Sequence, residues 1–384
     1  MGTDSWESGI SRGVCMGRYL SEFTGSRDNN FNLIRFLAAF LVLFSHSFAL
    51  VYGTKQAEPL RTTLGMTWGG IAVDVFFVTS GFLITGSYFS RNNLTAFIWA
   101  RVLRIYPALI VSMFFCVFVL GPSLSVYGIG DYLADSQAYL YFVKNSFLFL
   151  GVEYELPGVF MENPWGNTVN GSLWTLPHEV RMYASLAVFL VGLSLLRTRW
   201  KRVGFRSAML LMGLLALGFH IFNHFHPVIP SGYIKLFSMF YVGGAMYLWR
   251  DRILLSGKWF LLALAALLAS TAEKDAFFVV YCLVLPYLVF FLAYVPGGVL
   301  REFNKLGDYS YGLYIYAFPI QQTVVALLDG ASVGEVIVLS FLGTLFLAVL
   351  SWHLIEKRCL RLKGSYVAVE GVLRRFVKFR VGDG

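Results

Sequence analysis

The sequence has few charged residues and few cysteines. Only 14% of its 384 residues are Asp, Glu, Lys or Arg, whereas a soluble domain carries about 25%. Hydrophobic residues make up 57% of the chain and aromatic residues 17%. This shortage of charge excludes an ordinary soluble domain. It is typical of a protein that crosses a membrane several times.

The four cysteines are scattered along the chain, at Cys15, Cys116, Cys282 and Cys359. Because they form neither a Cys-x-x-Cys pair nor a cluster with histidines, the sequence predicts no disulfide framework, and no metal is expected. The formal net charge of +9 could indicate nucleic acid. However, the basic residues fall in short loops between apolar runs, where they orient a protein in the bilayer. We therefore expect contact with membrane lipids and not with nucleic acid.

Apolar runs that are long enough, or nearly long enough, to cross a bilayer recur along the whole chain. The pattern predicts an all-α fold, a polytopic transmembrane helical bundle. About ten spans are expected, at about residues 31–52, 68–90, 98–121, 171–196, 206–224, 232–249, 257–272, 275–295, 308–328 and 333–356. The run 133–151 is interrupted by polar residues, and we place it at the membrane interface.

Basic residues in the loops predict the orientation. The 197–206 loop holds five Lys or Arg residues and the chain beyond residue 356 holds eight, whereas the 152–170 and 222–232 loops hold none. With ten spans and both termini cytoplasmic, every strongly basic loop lies inside. The chain then divides into a cytoplasmic N-terminal segment (1–30), a transmembrane domain (31–358) and a basic cytoplasmic tail (359–384).

Three ionisable residues from separate spans fall at one depth near the outer surface. His46 and Asp74 lie about six residues, and Glu179 about eight, from the outer ends of their spans, or about 9–12 Å. The alternative explanation is that each of the three residues only forms a hydrogen bond to a neighbouring helix. However, ionisable residues at membrane depth mark substrate or proton pathways by default. A histidine beside a carboxylate is the arrangement of a general base, because the acid fixes the tautomer and stabilises the imidazolium.

Three arginines fall toward the cytoplasmic side. Arg35 precedes His46 by eleven residues, which at about 100° per residue puts both on one helix face, about 16 Å apart. Arg101 and Arg104 share one face at i and i+3. Together the three guanidinium groups could clamp phosphates. Ordinary positive-inside charge is the alternative explanation for Arg101 and Arg104.

Five blocks occur in order between residues 28 and 358. They are Arg35-x10-His46, Gly70-Ile-Ala-Val-Asp74 with the residues that follow to Ile84, Arg101-x-x-Arg104-Ile-Tyr-Pro107, Ser172-Leu-Trp-Thr-Leu-x-x-Glu179 and Tyr309-Ser-Tyr-Gly-Leu-Tyr314. Together these blocks resemble the acyltransferase-3 family of bacterial membrane acyltransferases. Any one block is a moderate signal, whereas five in sequence are a strong one.

The resemblance implies transfer of an acyl group, usually acetyl, from cytoplasmic acyl-CoA to a carbohydrate hydroxyl. The acceptor would be a cell-surface or lipid-linked glycan, such as the O-antigen of lipopolysaccharide or an exopolysaccharide, and the enzyme would be a multi-pass protein of the bacterial inner membrane. The resemblance makes His46 essential, with Arg35 as its motif partner. It also associates Arg101 and Arg104 with the acyl donor. The carboxylate of the Ser-Leu-Trp-Thr-Leu block corresponds to Glu179.

The chain departs from the family pattern in two places. Many members carry a histidine after the Tyr-Ser-Tyr block, where this chain has Ala317-Phe-Pro319. The closing block often reads Ile-Glu-Lys-Pro, whereas here it is Ile355-Glu-Lys-Arg358. The contribution of these two helix segments is therefore left open.

Several alternatives also stay open at this point. His46 either deprotonates the sugar hydroxyl directly or is acylated first, and Asp74 is expected to orient it. The aromatic residues Tyr154, Trp165 and Trp174, with His178, either stack on sugar rings or form an interfacial belt. The same ionisable residues would suit a proton-coupled transporter or flippase of a glycolipid. A catalytically silent scaffold or sensor is a third possibility.

Overall fold

The computed structural model describes residues 17–26, 28–91, 93–194 and 201–371. Within them most of the chain is helical, which confirms the all-α prediction. The strands found there are β1 (Arg18–Tyr19) and β2 (Leu254–Leu255), which pair antiparallel. Parts of the predicted N-terminal segment and basic tail lie outside the described residues, as do Arg197 and Arg199 of the basic loop.

Eleven of the described helices have twelve or more residues. They are α1 (Phe31–Tyr52), α2 (Trp68–Arg91), α3 (Leu94–Phe115), α4 (Ser136–Phe147), α5 (Thr175–Ser194), α6 (Lys201–Phe225), α7 (Ser231–Leu248), α8 (Gly257–Ala269), α9 (Lys274–Tyr294), α10 (Ser310–Leu327) and α11 (Val333–Ser351). Short helices are Arg61–Leu64, Gly121–Leu124, Ile129–Ala134, Val299–Glu302 and Lys357–Arg361. Two π-helical segments, Cys116–Leu120 and Trp352–Glu356, continue α3 and α11. The 3-10 turns are Leu20–Glu22, Lys55–Ala57, Gly171–Trp174, Ser270–Ala272, Phe303–Lys305 and Leu362–Ser365.

Six helical stretches in the described residues are long and apolar enough to cross a bilayer. They are Phe31–Tyr52, Trp68–Ser90, Leu94–Leu124, Gly204–Phe225, Lys274–Tyr294 and Val333–Gly371. Each overlaps a predicted span, and the shorter apolar helix Gly257–Ala272 overlaps another. The remaining predicted spans correspond to α5, α7 and α10, whose sequences include the polar residues Glu179, Lys235 and Gln321. A bundle with several membrane-crossing helices is thus supported, and the count of ten stays a prediction.

Polar side chains fix the first residues of several helices. Asn93 Oδ1 accepts a hydrogen bond from Ala96 N at the start of α3, over 2.8 Å. At α11, Ser332 and Glu335 form a reciprocal capping box. These caps satisfy amide groups that a helix leaves unpaired at its N-terminus, and so they define where the apolar segments begin.

Small and polar residues of α11 face the interior, while its large apolar residues face outward. The buried positions are Val336, Ser340, Thr344 and Ala348, and the exposed ones are Leu339, Leu342, Phe346 and Leu350. On α10, a Cβ placed on Gly312 would come within 2.8 Å of the Ala348 Cα atom, so the two helix backbones approach closely. In a soluble protein the large apolar residues would face the interior. The opposite arrangement is expected for helices that pack together in lipid.

The described residues divide into two compact units. The first unit comprises the residues up to Ser45, Gln56–Gly86 and Met182–Asp308. The second unit comprises His46–Lys55, Ser87–Arg181 and the residues from Tyr309 onward. Of the predicted site residues, Arg35 and Asp74 fall in the first unit, and His46, Arg101, Arg104 and Glu179 fall in the second.

Candidate active site

His46 lies in the last two turns of α1 with its side chain half-buried. Its Nδ1 atom is buried and has no hydrogen-bond partner among the described residues. The imidazole meets the ring of Phe318 edge-on, with the two centroids 5.5 Å apart and the planes at 76°. Packing against this ring restricts the orientation of the imidazole, as a general base or a nucleophile requires.

The block that begins at Ser172 is folded against α10. Asn170 accepts a hydrogen bond from Ser172 N over 3.1 Å and donates one to Ile315 O over 2.9 Å. The Tyr314 hydroxyl donates to Ser172 O over 2.8 Å and lies 2.7 Å from Thr175 Oγ1. These bonds fix the 3-10 turn and the first turn of α5, which carries Glu179 one turn later.

Phe318 links His46 to this block. Besides its contact with His46, the Phe318 ring lies so close to Gly171 that a Cβ there would be 2.7 Å from ring atom Cε2. Because Phe318 follows Tyr314 by four residues, both side chains project from one face of α10. The second unit therefore brings the predicted histidine and the predicted Ser-Leu-Trp-Thr-Leu block to one helix face. The catalytic role of Glu179 stays a prediction.

Two consecutive glutamines of α10 were not expected from the sequence, and both are fully buried. Gln321 Nε2 donates to the hydroxyl of Ser47, the residue after the candidate histidine, over 2.6 Å. Gln322 Nε2 donates to Gly166 O over 3.0 Å and to Thr168 O over 2.8 Å. Adjacent amides within an apolar run are the sequence signal that could have identified these residues.

Asp74 is fully buried on α2 and is paired within the first unit. Its Oδ2 atom accepts a hydrogen bond from the Tyr281 hydroxyl over 2.7 Å and lies 3.1 Å from Lys235 Nζ. Lys235 also donates to Gly70 O over 3.1 Å. A lysine within an apolar run was the available sequence signal for this partner. The prediction that Asp74 orients His46 stays a prediction.

Arg35 forms a salt bridge within the first unit. Its Nη1 atom lies 2.8 Å from Asp308 Oδ2, and the two side chains are 23% and 13% exposed. The guanidinium also lies 5.9 Å from the centre of the Phe76 ring. Asp308 directly precedes the Tyr-Ser-Tyr block, so its position next to a recognised motif was the only sequence signal for it.

Arg104 forms a second salt bridge, which lies within the second unit. Its Nη1 atom is 3.1 Å from Glu356 Oε2, and the Glu356 side chain is 2% exposed. The other carboxylate oxygen accepts a hydrogen bond from Ser351 over 3.0 Å. The Arg104 guanidinium also lies 5.6 Å from the ring centre of Tyr311. The closing Ile-Glu-Lys-Arg block thus supplies the carboxylate that holds Arg104, while Arg101, one turn earlier on α3, is half-buried.

Comparison with known proteins gives two kinds of match. A family model described as an acyltransferase domain matches residues 28–353. The chain is 30% identical over 376 residues to nodulation protein 10 of Rhizobium leguminosarum bv. viciae, covering 91% of this chain and 97% of the relative. It is 28% identical over 341 residues to an O-acetyl transferase of Shigella phage Sf6, covering 87% of this chain and 96% of the relative. No solved structure matches the chain.

The family model covers most of the chain, including every block from Arg35 to Tyr314. Both relatives are matched over nearly their whole length. These matches agree with the multi-span helical fold and with the convergence of two motif blocks on α10. The chain therefore belongs to the acyltransferase family whose domain matches residues 28–353, and it is a multi-pass membrane protein and an O-acyltransferase.

Proposed function

We propose that this enzyme moves an acetyl group from cytoplasmic acetyl-CoA to a hydroxyl of a cell-surface or lipid-linked carbohydrate, such as O-antigen or exopolysaccharide. The observation that carries the proposal is that His46 and Gly171 both lie against the ring of Phe318, which projects from one face of α10. The name of the phage relative, O-acetyl transferase, supports acetyl as the transferred group. The five motif blocks support acyl-CoA as donor and a carbohydrate as acceptor.

The proposed topology has ten spans in the bacterial inner membrane, with both termini in the cytoplasm. In this arrangement Arg35 lies near the cytoplasmic end of α1 and His46 nearer the outer end, about 16 Å further along the axis. Arg101 and Arg104 also face the compartment that contains acyl-CoA. The acceptor glycan then approaches His46 from outside.

The arginines are proposed to bind the phosphates of the donor substrate. Phosphates are costly to move among apolar helices, so the nucleotide stays at the cytoplasmic surface while the flexible pantetheine arm extends inward. Asp308 holds the guanidinium of Arg35, and Glu356 holds that of Arg104. Each arginine is thereby oriented before the donor arrives.

His46 is proposed as the catalytic residue. In direct transfer, a ring nitrogen takes the proton of the acceptor hydroxyl while the oxygen attacks the thioester carbonyl. The new C–O bond forms, the C–S bond breaks, and the proton passes to the departing thiolate. In the covalent route, a ring nitrogen of His46 attacks the thioester carbonyl, so that an N–acyl bond forms and the C–S bond breaks. The acceptor hydroxyl then attacks the acyl carbon, the N–C bond breaks, and the hydroxyl proton goes to the thiolate released in the first step. Asp74 and Glu179 are proposed to stabilise the positively charged imidazole.

Label transfer tests the proposed function. Protein in nanodiscs would receive radiolabelled acetyl-CoA and surface glycan extracted from a host strain that lacks the gene. We expect the wild type to label the glycan and His46→Ala to lower the rate about a hundredfold or more, the usual size of a general acid–base contribution. The matched control is His226→Ala, because His226 is an exposed histidine just beyond α6.

Unchanged transfer by His46→Ala would exclude its catalytic role. An unlabelled glycan with the wild type, together with measured movement of a glycolipid across the nanodisc or vesicle membrane, would favour the transporter class instead. Loss of activity in both histidine variants would mean that the loss is not specific to His46, and it would not support a catalytic role for this residue.

A further inference from the structure

Residues 152–170 form an ordered loop on the second unit. Val169 N donates to Tyr154 O over 2.7 Å, and Glu155 and Thr168 form an antiparallel bridge, so the two ends of the loop pair with each other. Four apolar residues of the loop are buried: Leu156, Val159, Phe160 and Val169. The loop therefore presents a defined surface.

Two contacts fix the sides of this loop. Asn145 of α4 donates to Glu153 O over 2.8 Å and accepts from Glu153 N over 3.0 Å. Gly53, just past the end of α1, has a φ of +67°, and a Cβ there would come within 2.6 Å of Pro164 O. Only glycine suits this position, and it brings the loop against the end of the helix that carries His46. Seven residues separate Gly53 from His46, or about 10 Å.

Gln322 supplies a further attachment. Its Nε2 atom donates to Gly166 O and Thr168 O, over 3.0 and 2.8 Å. Asn163 Nδ2 in turn donates to Gln322 Oε1 over 2.8 Å and to Gln322 O over 2.9 Å. A buried amide must make such bonds, because an unsatisfied one costs about 1–3 kcal/mol. One side chain thus fixes the loop at three points.

The neighbouring residue connects this attachment to the candidate histidine. Gln321 bonds to Ser47, directly after His46, and Gln322 bonds to the loop. Phe318, one turn earlier on α10, contacts His46 itself. The loop and the imidazole are therefore positioned by the same five-residue stretch of one helix, Phe318 to Gln322.

The side chains of the loop suit an uncharged, hydroxyl-rich ligand. No Lys or Arg occurs within the loop itself. Lys144, which lies beside the loop, is paired with the Glu153 carboxylate over 3.0 Å. Glu155 and Glu162 are exposed and can accept hydrogen bonds from hydroxyl groups, while Trp165 is half-buried. Its ring can stack on a sugar. The Tyr154 hydroxyl is protonated at neutral pH, as a phenol ordinarily is, and burial raises its pKa further, so it can donate a hydrogen bond.

We propose that the 152–170 loop binds the carbohydrate acceptor and that Gln322 is a positioning residue, which holds the loop in place. The proposal rests on the proposed function, since it identifies where the glycan of that reaction is held. Gln322 does not touch the acceptor, because its side chain is fully buried beneath the loop. Its replacement should therefore change use of the glycan and leave use of the donor intact.

The test compares Gln322→Glu with Gln137→Glu, which makes the same change on α4 away from these bonds. A carboxylate at 322 cannot donate to Gly166 O and Thr168 O. We expect the KM for the extracted surface glycan to rise about tenfold, equivalent to about 1.4 kcal/mol. The KM for acetyl-CoA should stay within about twofold of the wild type. In the Gln137→Glu control, the KM values for the glycan and for acetyl-CoA should both stay within the same range. Asn163→Ala, which acts from the loop side, should reproduce the effect.

Size-exclusion profiles in detergent would establish that each variant is folded, and Asn163→Ala decides the question if Gln322→Glu is not. An unchanged KM for the glycan, or an equal rise in the KM for acetyl-CoA, overturns the inference and leaves the proposed function standing. A wild-type protein that does not label the glycan overturns the proposed function, and the inference fails with it.

Discussion

At the scale of single residues, charged groups inside the units are held by partners far away in sequence. Arg35 and Asp308 are 273 positions apart, and Arg104 and Glu356 are 252 apart. Asp74 is paired with Lys235 and Tyr281 in the same way. A buried charge without its partner costs several kcal/mol, so each pair stabilises the fold only when both members are present.

Removing Lys235 should destabilise the first unit. Lys235→Met leaves the fully buried Asp74 carboxylate without its cation, and we expect the free energy of unfolding to fall by about 3–5 kcal/mol. The double variant with Asp74→Asn should recover part of this loss, because it also removes the negative charge. Denaturant unfolding in detergent micelles measures both effects.

The control for this prediction is Lys258→Met, which changes an exposed lysine at the start of α8. The free energy of unfolding of this control should lie within about 0.5 kcal/mol of the wild-type value. A Lys235→Met protein as stable as this control would mean that the buried pair contributes no net stability.

At the scale of elements, a π-helical turn positions the carboxylate that holds Arg104. The segment Trp352–Glu356 interrupts the regular helix between α11 and Lys357–Arg361, and it leaves Glu356 buried next to Ser351. Single π turns often occur at functional sites, because the extra residue redirects a side chain. The irregular turn thus joins the end of one helix to the arginine motif on another.

Exchanging the two charges should separate the structural role of Arg104 from its proposed role in donor binding. Arg104→Glu and Glu356→Arg should each lower the melting temperature, because each leaves two like charges in contact. The double variant should recover most of the loss, since the ion pair is restored with its ends reversed. Its KM for acetyl-CoA should nevertheless stay raised, by about tenfold, because the guanidinium no longer projects from α3.

Thermal scanning and donor titration of the same protein preparations check this prediction. A double variant that recovers both the melting temperature and the KM for acetyl-CoA would assign Arg104 a structural role alone. Arg101→Gln gives the comparison within the motif, and it should raise the KM for the donor with a smaller change in melting temperature.

At the scale of the whole molecule, outward-facing large apolar side chains identify the protein as one that lies in lipid. On α6, Leu211, Leu214 and Leu215 are each more than half exposed, whereas Met209 is fully buried. Exposed apolar faces of this extent would cause a soluble protein to aggregate. A bilayer removes that penalty, because its acyl chains are as apolar as the side chains themselves.

Labelling with a membrane-impermeant maleimide tests the proposed orientation. Met161→Cys and Val367→Cys form a matched pair, because the native side chains are 56% and 63% exposed. In intact spheroplasts we expect Met161→Cys to be labelled and Val367→Cys to react only after the membrane is opened. The parent protein, with its native cysteines, gives the background. Equal labelling of both sites in intact spheroplasts would contradict the ten-span topology.

The sequence by itself determined the helical membrane fold, the family and one member of each charged pair, because composition, apolar runs and motif spacing are local properties. It also marked His46 and the Ser-Leu-Trp-Thr-Leu block. It did not determine that Phe318 joins these two, or that Asp308, Lys235 and Glu356 complete the ion pairs. Such contacts are made between helices far apart along the chain, so they depend on how each helix is rotated and packed. Only the tertiary structure decided them.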